Sequence, residues 1–123
     1  NNHGDFKNSF GFIFTTDDKK IVFSGDTAFS KKLISIAKNA DILVHEVYSE
    51  QGFKEKSVDW QKYHKAHHTS SVDVGRIAQL TQPRKLVLSH ILFWGKSEES
   101  IIEEVKFHFK GNVIVAEDLM VVD

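Results

Sequence analysis

Three apolar runs, Ile21-Val22-Phe23, Ile42-Leu43-Val44 and Leu86-Val87-Leu88, recur along the chain, and each is continuous rather than alternating. Runs of this kind read as strands covered on both faces, which calls for layers packed against a largely parallel sheet. The intervening segments carry helix signals. Ser30 caps a helix with Leu33, Ile34 and Ala37 on one face and Asn39 as its stop. Ser70 and Asp73 resemble a capping box for a second helix, striped by Val74, Ile77 and Ala78 and closed before Pro83. Ser97 caps a third, with Glu98 and Glu99 in its first turn and Ile101, Ile102, Val105 and Phe109 inward. Strands alternating with helices predict an α/β layered fold.

Phe10 to Thr15 and Ile21 to Ser24 read as a hairpin joined by the polar loop 16–20, and Lys85 to Leu88 as a later strand. Val113 to Ala116 and Leu119 to Val122 read as two short closing strands joined at Glu117-Asp118. Residues 48 to 63 show no convincing period and predict a long loop with at most one helical turn; loops of that length in compact domains often carry function.

Composition narrows the chemistry. At 123 residues with 41% apolar content the chain suits one domain. Sixteen basic against 17 acidic residues give no overall attraction to nucleic acid or anionic membrane. The absence of cysteine removes disulfides, thiolate metal sites and cysteine nucleophiles, and fits a reducing compartment such as the cytoplasm. No apolar run approaches the roughly 20 residues needed to cross a bilayer. The opening Asn1-Asn2-His3-Gly4-Asp5 has neither the charge nor the apolar stretch of a signal peptide and reads as a cut into a longer chain.

Two of the apolar runs end in metal-ligand residue types: Ser24-Gly25-Asp26-Thr27 and Leu88-Ser89-His90. Alone, Asp26 reads first as a turn aspartate and His90 as a structural histidine. Together at the ends of separate strands they suggest one site, because active sites of layered α/β proteins gather at one sheet edge. A carboxylate can bridge two divalent cations, and a neutral imidazole is a good zinc ligand. Glu46, delivered by the strand Ile42-Leu43-Val44, and His68 suggest proton transfer instead, since a carboxylate beside an imidazole orients the ring and favours its charged form. His64 and His67 compete with His68 for that role, and the sequence does not choose among the three.

Taken in order, Phe10-Gly11-Phe12-Ile13-Phe14, Ser24-Gly25-Asp26-Thr27, His45-Glu46-Val47-Tyr48, His68-Thr69-Ser70 and Leu88-Ser89-His90 resemble the successive motifs of the carboxy-terminal half of a metallo-β-lactamase-fold hydrolase, ribonuclease Z-like branch. The resemblance implies half of a four-layer αββα sandwich. It further implies two divalent metal ions, zinc first, with Asp26 as the bridge and His90 and His3 as terminal ligands. His3 enters because it stands eight residues before Gly11, as a family histidine does. Glu46 and His68 become the proton-donating pair, and the reaction implied is hydrolysis of a phosphodiester, RNA or a smaller substrate, by a metal-bound hydroxide.

The family's HxHxDH motif is absent from these 123 residues, which leaves an expected missing amino-terminal half, a chain inactive by itself, and sheet edges open to partners including a second copy. A non-catalytic module and a thioester or lactone hydrolase of the same fold are the alternative readings. Metal analysis of this chain alone is therefore expected to find no pair of tightly bound zinc ions.

Overall fold

The computed structural model describes residues 1–123. Five strands, β1 (Phe12–Thr15), β2 (Lys20–Phe23), β3 (Ile42–Tyr48), β4 (Lys85–Leu92) and β5 (Asn112–Val115), form one sheet in the order β1-β2-β3-β4-β5. β1 and β2 are the expected antiparallel hairpin, and every later pairing is parallel. Each parallel connection carries helix: α1 (Lys31–Ala37) between β2 and β3; α2 (Glu50–Lys54), α3 (Val58–His67) and α4 (Ser71–Thr81) between β3 and β4; and α5 (Glu98–Lys106) between β4 and β5. No helix is long and apolar enough to cross a membrane.

Alternation along the strands sorts the two faces. Val22, Leu43, Val47, Leu86 and Leu88 enter one core with Leu33, Ile77 and Ile101 from the helices. Burying each such side chain contributes about 1.5–3 kcal/mol. Gly75 lets α4 lie against α5, since a Cβ there would stand 2.3 Å from the Val105 carbonyl oxygen. The opposite face of the hairpin is uncovered by helix: Phe12, Phe14 and Phe23 remain exposed, with Phe14 and Phe23 edge to face at 5.8 Å.

The caps expected at Ser30, Ser70 and Ser97 are all made, each serine oxygen accepting a backbone N–H three residues on. Asp73 completes only half of a capping box, because its carboxylate pairs with Arg76 at 2.9 Å instead of returning to residue 70. Phe109 reaches the core, although α5 ends at Lys106 and the phenylalanine belongs to the following turn.

Three expectations change. Residues 48–63 are mostly helical, not a long loop. Ser49 and Ser57 cap α2 and α3, and the Glu104 carboxylate on α5 accepts from Glu50 N and Gln51 N at 3.0 and 3.2 Å. β4 runs past Leu88 to Leu92 because β3 continues to Tyr48 and pairs with it up to Leu92, with one register shift on the way. Leu119 to Val122 form no strand; Glu117 O accepts from Met120 N in a turn, Leu119 has φ +63°, and Leu119 and Val121 face solvent.

At the far sheet edge the Asp41 carboxylate accepts from Lys20 N at 2.8 Å and faces the Arg84 guanidinium at 3.3 Å. The Lys20 hydrogen bond is the largest influence; burial opposes it, and Arg84 adds to it, so that the pKa lies below the usual aspartate value. A lowered folded-state pKa contributes stability above the unfolded pKa and loses it as pH falls through the folded value. Asp41→Asn should therefore melt below the parent at pH 7, and the gap should close as pH drops below about 4. Thermal midpoints recorded at several pH values check this.

Candidate active site

The parallel sheet delivers Asp26, Glu46 and His90 to one edge, because β2, β3 and β4 run in the same direction, with Asp26 just past β2 and Glu46 and His90 in the carboxyl halves of β3 and β4. Gly25 makes the turn that releases Asp26: its φ is +59°, and a Cβ would stand 2.2 Å from the Phe10 carbonyl oxygen. Glycine is required there on both counts.

Glu46 is 2% exposed, yet its carboxylate is fully engaged. Oε1 accepts from Thr27 N at 3.0 Å and faces His68 Nδ1 at 3.1 Å, and Oε2 accepts from Thr69 N at 3.3 Å. Glu46 N itself donates to Ser24 Oγ at 3.1 Å. The three segments Ser24–Thr27, His45–Tyr48 and His68–Ser70 are thus tied to one buried carboxylate. An uncompensated carboxylate here would cost several kcal/mol, which three donors offset.

His68 is the hub's outward arm. Burial is the largest single influence on it and disfavours the charged ring. The Glu46 hydrogen bond and charge, with Asp26 beyond, outweigh burial and raise its pKa above the usual histidine value. Its Nδ1 carries the proton shared with Glu46, so Nε2 is the nitrogen left to act on something else. His45, on the core side of β3, is buried and held neutral chiefly by that burial, its Nδ1–H donating to Glu46 O at 2.6 Å.

His90 owes its position to a bulge. Glu46 pairs with Ser89 and Val47 with Ile91, so His90 is the extra residue between two rungs of the ladder and sits at φ +44°. The bulge turns its ring toward the β2 end, where His90 Nδ1 lies 3.2 Å from Asp26 Oδ1. One donor atom from each of Asp26, His68 and His90 lies within 4.8 Å of the others. Two imidazoles and a carboxylate suit a borderline divalent cation such as zinc, but three protein donors leave an open position. Asp26 and His90 remain about half exposed, so the group faces outward.

Of the five residues singled out in the sequence, Asp26, Glu46, His68 and His90 converge. His3 lies beside them without joining the three-donor group. Its ring packs against those of His67 and His68, with centroids 5.2 and 5.1 Å away, and its Nδ1–H donates to His67 O at 2.5 Å. His67 stacks on Tyr63 at 4.1 Å with its Nδ1 on Tyr63 O, so among the three neighbouring histidines only His68 meets Glu46. Sequence reasoning assigns no role to the backbone N–H groups of Thr27 and Thr69, which hold the Glu46 carboxylate. Their only signal is that each adjoins a residue already singled out, Asp26 or His68.

Residues 2–91, most of the chain, match the family model described as a beta-lactamase superfamily domain. The chain belongs to that superfamily. It is 35% identical over 103 residues to the ribonuclease Z of Archaeoglobus fulgidus, covering 83% of this chain and 31% of the relative. With the ribonuclease Z of Methanosarcina acetivorans it shares 34% identity over 103 residues, covering 83% of this chain and 32% of that one. The chain therefore spans about a third of the length of the curated relatives it matches. Among solved structures, the metallo-beta-lactamase fold protein YhfI of Bacillus subtilis superposes with a TM-score of 0.72 at 24% identity, covering 87% of this chain and 41% of that one. The short form of human tRNase Z gives 0.58 at 23%, covering 92% and 36%. The expected α/β class and its metallo-β-lactamase architecture are thereby borne out as a fold.

Left-handed backbone is costly for any residue with a Cβ, by about 1–2 kcal/mol. The bulge in this superfamily chain should therefore invert the usual ranking of small residues: His90→Gly should be more stable than His90→Ala by about 1 kcal/mol. Chemical denaturation of both variants checks it.

Proposed function

We propose that this chain is the carboxy-terminal half of a metallo-β-lactamase-like domain in a metal-dependent phosphodiesterase acting on RNA. The observation that carries the reading is the buried Glu46 carboxylate held by Thr27 N and Thr69 N and facing His68 Nδ1. A ribose oxygen leaves a phosphodiester as a poorly stabilised alkoxide and gains from a positioned acid, whereas a thiolate leaves a thioester largely without one. The names of the ribonuclease Z relatives supply the substrate class.

In this reading Asp26, His90 and His3 hold divalent cations, zinc by the nature of the donors, with further ligands from outside these residues. Bound there, the cations supply Lewis acidity and a low-pKa water. Glu46 fixes the His68 ring through Nδ1, so that Nε2–H is the proton presented to the departing oxygen. Thr27 and Thr69 prevent the carboxylate from swinging away, and the burial around Glu46 excludes water that would compete for its oxygens.

In the intact protein, Asp26→Ala should abolish turnover and lower bound metal content measured by elemental analysis. His68→Ala should slow RNA cleavage by about 10²–10⁴-fold and slow an activated aryl phosphodiester far less, because its leaving group needs no proton. Equal losses on the two substrates would overturn the general-acid role.

A further inference from the structure

Beside this site, α3 carries rings that the proposed chemistry does not use. Trp60 and Tyr63 are 56% and 45% exposed. Each has one face already covered: Trp60 stacks on His64 with centroids 5.3 Å apart and planes at 19°, and Tyr63 stacks on His67 at 4.1 Å and 22°. The two exposed rings meet edge to face at 5.7 Å and, with Asp59, line an open notch. His64 lies 6.0 Å from the His68 ring, so an unbroken series of rings joins the notch to the candidate site.

Four lysines lie on α3 and in the residues just before it. Lys54, Lys62 and Lys65 are exposed, and Lys56 Nζ lies 5.1 Å from the Trp94 ring centroid. Between positions 54 and 65 these four lysines face two acidic residues, Glu55 and Asp59, in a chain that is otherwise close to neutral. Exposed rings braced from behind, on a helix that also carries exposed lysines, suit a single strand, whose bases offer faces to stack and whose phosphates need countercharge. Asp59 adds an acceptor that can take a base amino group. A partner helix would instead seek a continuous apolar groove, and the notch offers only two rings beside a carboxylate.

We propose that Trp60 and Tyr63 form a stacking platform for unpaired bases of a single-stranded RNA whose backbone continues to the Glu46–His68 site. The direction of that strand rests on the function proposed above; the platform itself rests on the rings and their lysines. Eight residues separate Trp60 from His68, about 12 Å of helix, so the stacked bases lie a few nucleotides at most from the reacting phosphate.

The test measures binding apart from turnover. A short single-stranded oligoribonucleotide and the same oligonucleotide with abasic positions are titrated into the intact protein in the presence of chelator, with fluorescence anisotropy as the readout. The parent should prefer the base-bearing strand by about tenfold or more. In the Trp60→Ala, Tyr63→Ala double variant that ratio should collapse toward one, and in Trp60→Phe, Tyr63→Phe it should largely return. A parent ratio near one, or a ratio that persists in the alanine variant, overturns the platform. Failure of the parent to cleave RNA when metal is restored, with the binding ratio intact, would overturn the phosphodiesterase reading and leave the platform standing as a single-strand binding site.

Discussion

A carboxylate buried to 2% exposure is tolerable only if its oxygens find donors, and the donors of Glu46 come from three separate parts of the chain. The N–H of Thr27 lies just past β2, Glu46 itself is on β3, and His68 and Thr69 lie between α3 and α4. Any of these segments that shifts leaves charge uncompensated in a low-dielectric setting, a penalty of several kcal/mol. That penalty fixes the segments relative to one another more tightly than apolar packing would. The same carboxylate orients His68 and favours its proton, so one buried group both ties the segments together and sets the state of the neighbouring imidazole.

The parallel sheet sets the stage for this hub. Strands that run together bring their carboxyl ends to one edge, and residues far apart in sequence become neighbours there. Regular strands alone would not place His90, whose ring reaches Asp26 because the ladder skips a residue between Ser89 and Ile91. Gly25 acts similarly for Asp26, through a backbone turn that a side chain would block. Both irregularities concentrate where polar side chains converge, and the rest of the sheet keeps ordinary register.

Much of the fold was legible because it rests on local signals. Continuous apolar runs marked β2, β3 and the start of β4, and serines three residues ahead of backbone donors marked α1, α4 and α5. The helices α2 and α3 were not legible because their support is distant or aromatic. Glu104, 54 residues away, holds the start of α2, and α3 buries a single histidine while its rings stack on one another. The last residues failed the other way: Leu119 and Val121 look like strand residues but point into solvent.

From sequence alone came the layered α/β class, the hairpin, the order of the motifs and Asp26, Glu46 and His90 with a histidine from among His64, His67 and His68, because residue type and short spacing encode strand ends and caps. Convergence was another matter. Which of His64, His67 and His68 meets Glu46, and how far His3 stands from the other donors, depend on bonds made between residues 22 and 64 positions apart in the chain. Only the packed sheet, with its bulge at His90 and its buried carboxylate, sets those distances.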